Sequence, residues 1–206
     1  MPRDQTKTDE LVRRSAQGDA AAVEQLFAAF RPRLRRMVAV RIDARLAARV
    51  DPSDVVQDAL VDASRKLHDY LKQRPLAFYP WLRQLTMERL IVLHRRHIKS
   101  KNRSLLREDP DNLLINDDSA LELAARLSGG GSSPSRRLVR DELRTRVRDI
   151  LSRLSPNDRQ VLELRYLEDL STVETAEVLA ISESAVKMRH LRAMARVKEL
   201  IKEGQV

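Results

Sequence analysis

The run 172-TVETAEVLAISESAVKMRHLR-192 decides the fold of the C-terminal part of this chain. Ala176 is small where two helices would cross closely. Leu179, Ile181 and Val186 have the spacing that closes the core of a helix-turn-helix. Ser182 is placed to cap the second helix, which then presents Ser184, Ala185, Lys187, Met188, Arg189 and Arg192 outward. In such a motif the start of the second helix enters a DNA major groove, where Arg and Lys pair with guanine or phosphate. A plain helical hairpin with a solvated basic face has the same spacing and is the bland alternative. Two positions depart from the usual pattern: Ala180 holds the turn position where Gly is common, and Thr175 stands where an apolar residue is more frequent.

Upstream, Ser155-Pro156 with Asp158 marks a helix start. Ser135 can cap a helix carrying Leu138, Val139, Leu143, Val147, Ile150, Leu151 and Leu154. Residues 135–203 therefore read as one helical domain. Before it, residues 104–134 lose the apolar periodicity. Glu108, Asp109, Asp111, Asp117, Asp118 and Glu122 give way to 128-SGGGSSP-134, a composition expected of a flexible linker.

Residues 9–103 read as a second helical domain. Asp19 can cap a helix carrying Val23, Leu26, Phe27 and Phe30, and Pro32 is placed to open another with Leu34, Met37 and Val38 inward. Asp51 is a good N-cap, Pro52 suits the first helical position, and Asp54 adds negative charge to the first turn. That helix buries Val55, Val56, Ala59, Leu60, Ala63 and Leu67. It leaves Asp54, Gln57 and Asp58, three or four apart, on another face. Pro75 and Pro80 bracket a loop, and a long helix follows through Trp81, Leu82, Leu85, Val92 and Leu93.

Residues 83–107 hold Arg83, Arg89, Arg95, Arg96, Lys99, Lys101, Arg103 and Arg107, with His94 and His97 among them and Glu88 as the only acid. Phe78, Tyr79 and Trp81 lie just upstream. Rings beside a basic track suit single-stranded DNA, because unpaired bases stack on them. The competing reading puts Phe78 and Trp81 in the core, which leaves Tyr79 as the preferred base contact.

Composition agrees with two helical domains. Hydrophobic residues make up 42% of 206, enough for packed cores, whereas 3% aromatics and five glycines argue against a sandwich or barrel. The net charge of +9 attracts polyanions, nucleic acid first among them. No apolar run approaches the roughly 20 residues that span a bilayer, and no apolar core of a signal peptide follows the N-terminus. The chain has no cysteine, so disulfides and thiolate metal sites are excluded, which suits a reducing cytoplasm.

The segments 51-DPSDVVQD-58, 78-FYPWLR-83, Arg95-Arg96, 154-LSPNDR-159 and 181-ISESAVKMR-189, in this order, resemble the extracytoplasmic-function (group IV) sigma factors of bacterial RNA polymerase. The resemblance covers nearly the whole chain outside the linker and the extreme ends. The run 81-WLRQL-85 with 94-HRRH-97 looks most like the planctomycete type. It implies an all-α fold of two domains, a region-2-like and a region-4-like one.

It also implies roles. Asp51, Asp54, Val55, Val56, Gln57 and Asp58 would dock on the clamp coiled coil of the polymerase's largest subunit, and the flap of the second-largest subunit is a further implied partner of the chain. Arg74, Phe78, Tyr79, Trp81, Arg83, Glu88, Arg95 and Arg96 would bind and melt the minus-ten element. Ser184, Ala185, Lys187, Met188, Arg189 and Arg192 would read the minus-thirty-five element. The linker would thread through the core enzyme, its acids either solvated or mimicking RNA phosphates. Core RNA polymerase, promoter DNA and an anti-sigma factor are the implied partners, and no metal, cofactor or catalytic residue is expected. Glu88 stands where the family commonly has Asn, Met188 where it commonly has Ser, and His190-Leu191 reverses the usual Leu-His order.

Two rival readings have less support. A free-standing helix-turn-helix regulator leaves the Asp54–Asp58 helix unexplained. A metal-dependent nuclease lacks a ligand set, since Asp51 is better explained as a cap and no Gly-rich phosphate loop is present.

Overall fold

The computed structural model describes residues 2–42, 44–97, 115–127 and 137–203, and among them it contains helices and no strand. The chain forms two compact units, Met1–Asp111 and Asn112–Val206. An all-α fold is what composition and periodicity led one to expect.

In the first unit, α1 (Pro2–Ala16), α2 (Ala20–Arg41), α4 (Pro52–Gln73) and α5 (Phe78–His97) pack around one core, with a short α3 (Ala44–Ala47) between. The Asp19 carboxylate accepts from the Ala22 N–H at 3.1 Å and from Arg14, which ties α1 to the start of α2. Pro32 does not open a new helix: α2 runs through it. Both Pro32 and Ala28, whose carbonyl loses its partner, are exposed, so water can take the freed group and the cost of a helical proline is reduced. Asp51 caps α4 by accepting from the Ser53 N–H at 2.7 Å, with Pro52 in the first helical position. Arg74 ends α4 in the left-handed region at φ 42°, and its N–H returns to the Tyr70 carbonyl at 2.7 Å. α5 begins at Phe78, two residues before Pro80. In a first turn the missing N–H of proline leaves no gap in the helical ladder.

In the second unit, α6 (Asp117–Leu127) packs against α7 (Arg137–Ser152) and a π-helical turn (Glu163–Leu167) that follows α8 (Pro156–Leu162). α9 (Thr172–Leu179) and α10 (Glu183–Glu203) complete it. α6 lies inside the stretch expected to be linker. The Asn116 side chain accepts from the Ser119 N–H at 2.9 Å, and Ala120 and Leu123 form a buried stripe. Asp118, read from sequence as linker charge, stands in the first helical turn, where negative charge is favoured. The Ser135 cap, the 128-SGGGSSP-134 segment and Lys99, Lys101, Arg103 and Arg107 lie outside the described residues.

The helix-turn-helix forms as read. Val161, Ala176 and Val186 make its buried core, with Leu179 and Ile181 against them. Ser171 and Glu174 form a reciprocal capping box at the start of α9. Thr175 is fully buried because its hydroxyl donates to the Ser171 carbonyl at 2.7 Å, which satisfies the polar group at an apolar position. Ala180 takes the left-handed conformation at φ 51°, and Ile181 N–H bonds back to the Ala176 carbonyl at 3.0 Å. An L-residue there carries a steric cost of about 1–2 kcal/mol that glycine avoids. Ala180→Gly is therefore expected to stabilise the chain, by about 0.5–1 kcal/mol after the entropic cost of glycine, as a raised Tm. An unchanged or lower Tm would contradict this description of the turn.

Candidate nucleic-acid and partner interfaces

The first surface lies on α4. Val55, Val56 and Ala59 are buried, so the helix points Asp54, Gln57 and Asp58 outward. Val55 and Val56, which the resemblance places in a docking surface, are core residues here, at most 1% exposed, and can only position that surface. Asp51 is exposed, but its carboxylate is held below the usual carboxylate range, first by the Ser53 backbone N–H, as its capping role requires. The face is not a bare anionic patch. Arg31 donates to Gln57 at 2.8 Å, and Arg89 from α5 pairs with Asp58 at 2.9 Å and lies 4.0 Å from Asp62. Ion pairs this exposed contribute about 1 kcal/mol at most and exchange readily for those of a partner.

The second surface was expected around the loop after α4 and along α5. Its aromatic members are corrected by the structure. Phe78, Tyr79 and Trp81 are all buried. Tyr79, the preferred base contact, is 3% exposed. Phe30 stacks on its ring at 5.7 Å between centroids, and the Arg33 guanidinium sits 3.8 Å from its centre, so no ring surface is offered to a base. Trp81 stacks on Tyr70 at 4.2 Å, and Phe78 lies within 5.6 Å of Phe30, Tyr70 and Trp81. Arg83 is buried too, which removes it from the phosphate-binding surface. Arg74, Glu88, Arg95 and Arg96 are exposed. They are not one cluster: Arg74 precedes the start of α5, whereas Arg95 and Arg96 stand near its end, about 25 Å away along the helix.

The third surface is the start of α10. Ser182 caps it by accepting from the Ala185 N–H at 3.2 Å. Ser184, Lys187, Met188 and Arg192 are exposed, while Ala185 and Arg189 are half-buried. Arg192 reaches Asp158 at 3.3 Å. Leu191, absent from the expected set, is 60% exposed. The signal for it was the reversed His190-Leu191 order. His190 turns inward, stacks on Tyr166 and lies 3.1 Å from its hydroxyl, which turns Leu191 out. The π-helical turn delivers Tyr166 to this contact, and Arg126 of α6 braces it by donating to the Tyr166 carbonyl at 2.5 Å and to Asp169 at 2.9 Å.

The fold defines an all-α protein of two helical units, the second closing on a helix-turn-helix. Comparison with known proteins gives the family. Residues 150–199 match the family model described as Sigma-70, region 4. The chain is 30% identical over 193 residues to the RNA polymerase sigma factor CnrH of Cupriavidus metallidurans, covering 93% of this chain and 92% of that protein. It is 26% identical to the ECF RNA polymerase sigma-E factor of Haemophilus influenzae, over 94% of this chain and 95% of that one. A solved structure of CnrH in complex with the cytosolic domain of CnrY superposes with a TM-score of 0.53 at 26% identity, covering 96% of this chain and 98% of that one. The chain belongs to the extracytoplasmic-function RNA polymerase sigma factors. It is a regulatory subunit that binds RNA polymerase and directs it to promoters at transcription initiation.

Burial, and secondarily Arg165, holds the His190 imidazole below its ordinary value of 6.5. As pH falls, the unfolded chain takes up this proton before the folded one does. His190 therefore contributes stability above about pH 6.5 that is lost as pH drops toward the folded value. Thermal unfolding at pH 7.5 and 5.5 is expected to show a larger loss for the wild type than for His190→Gln. Equal losses in the two proteins would remove His190 as the source.

Proposed function

We propose that the first unit docks on the clamp of the polymerase's largest subunit through the outward face of α4, with Asp54, Gln57 and Asp58 as its polar contacts. The observation that carries this reading is the division of α4 into a committed core face and an exposed face, on which Arg31 donates to Gln57 and only an exposed ion pair joins Asp58 to Arg89. The second unit reads the upstream, minus-thirty-five element with the start of α10 and contacts the flap of the second-largest subunit.

Melting of the minus-ten element falls to the exposed part of the expected set. With the rings enclosed, the flipped base is held at the loop that begins with Arg74, while Arg95 and Arg96 hold phosphates farther along the strand. Two separated sites, about 25 Å apart, suit a strand followed over several nucleotides. Opening costs a few kcal/mol per unstacked base, and phosphate neutralisation offsets part of it. Among the described residues no helix is long and apolar enough to cross a membrane. The site of action is the cytoplasm, where the polymerase works. An anti-sigma factor is the regulatory partner, a reading motivated by the CnrH–CnrY complex.

The double substitution Asp54→Arg with Asp58→Arg tests the docking face. Reversing both charges should leave the fold intact, because neither acid is buried. Affinity for core polymerase is expected to fall by about 100-fold or more, as truncated interfacial charge pairs commonly do. Unchanged affinity in a folded double variant would refute the assignment.

A further inference from the structure

The two most exposed large apolar side chains among the described residues are Met188, at 58%, and Leu191, at 60%, and they are neighbours on α10. We infer that they form an apolar reading patch for thymine C5-methyl groups in the major groove. This rests on the upstream-element reading of α10 and gives that element a chemistry.

Helix geometry sets the patch. Val186, His190, Ala193, Val197 and Leu200 follow one another at steps of four, three, four and three, and all turn toward the unit's core. Ser184, Met188, Leu191 and Ala195 follow at four, three and four on the opposite, exposed side. Ser184 and Ala195 are small, so nothing bulky on that stripe screens the pair from a partner. Met188 and Leu191 therefore lie on the centre line of the outward stripe, in the half of the helix that a helix-turn-helix inserts into the groove. Single exposed apolar residues are ordinary, whereas two in adjacent turns of one stripe form a patch.

Charge selects the occupant. Lys187, Arg189 and Arg192 flank the pair, and between residues 184 and 195 there is no acid. A partner must be polyanionic and still offer apolar groups to the middle of a basic surface. Duplex DNA does both, because the thymine methyl is the apolar group among the hydrogen-bonding edges of the major groove. The two side chains are separated by about 4.5 Å of helix rise, against about 3.4 Å per base pair. They therefore address thymines of the same or neighbouring base pairs. The His190–Tyr166 contact holds this register, since a helix rotated to free His190 would turn Leu191 away.

The test uses the full chain bound to core polymerase. A promoter-length duplex library, randomised through the upstream element, is first selected with this holoenzyme. Each thymine of the recovered element is then replaced singly by deoxyuridine, which lacks only the methyl. At one or two neighbouring base pairs the replacement is expected to weaken binding about four-fold, the value of one buried methyl. Met188→Ala with Leu191→Ala is expected to bind thymine and uracil duplexes equally. If the wild type selects an upstream element yet binds both duplexes alike, the methyl reading falls while the upstream reading stands. If the alanine variant keeps the uracil discrimination and instead loses core polymerase affinity, the patch docks protein and the inference is overturned. A holoenzyme that enriches no upstream element overturns both readings.

Discussion

All but one of the aromatic rings in this chain meet at a single junction, and the first unit depends on it. Phe27 and Phe30 from α2, Tyr70 from α4, and Phe78, Tyr79 and Trp81 from α5 touch one another there, leaving Tyr166 apart. Tilted, stacked and edge-on pairs of this kind add about 0.5–1.5 kcal/mol each beyond the area they bury. The Tyr70 hydroxyl donates to the Leu76 carbonyl at 3.0 Å, so the junction also fixes the loop between α4 and α5. With α4 held along its inner side, Asp54, Gln57 and Asp58 are presented on its outer side, where Arg31 and Arg89 add exposed contacts to Gln57 and Asp58.

The same constraint bears on the proposed base contacts. Rings that lock three helices together cannot serve as a stacking platform unless the lock opens, and opening it would expose a large apolar area. Under the proposed function the duties separate: the rings provide rigidity, while contact with the strand would fall to Arg74 and the basic residues at the end of α5. In the second unit the remaining ring has a comparable duty. Tyr166, carried by a π-helical turn, meets His190 on the same inward face of α10 that buries Val186, Ala193, Val197 and Leu200, and that face decides which side chains point outward.

The elements legible in the sequence were those announced by local chemistry. Asp19, Asp51, Ser155 and Ser182 each accept from the backbone at or near a helix start, and the apolar spacing of Ala176, Leu179, Ile181 and Val186 closes as a helix-turn-helix. What the sequence reading got wrong or missed depended on tertiary surroundings. Pro32 sits within a helix because its face is exposed. Asp118 belongs to a helix whose few apolar residues suffice only against α7 and the π turn. Tyr79 has the same local signature as a surface tyrosine and is enclosed because Arg33 and Phe30 cover its ring. Leu191 is turned outward by a partner of its neighbour, 24 residues away.

The central claim is that this chain confers promoter choice on an RNA polymerase that lacks it. Run-off transcription with purified core polymerase, on a mixture of duplex fragments from the genome that encodes the chain, tests it directly. Addition of the full chain is expected to yield discrete transcripts with defined start sites, absent with core alone and lost when the upstream element is scrambled. Unchanged, non-specific transcription in the presence of the chain, or specific duplex binding that neither needs nor engages polymerase, would contradict the account.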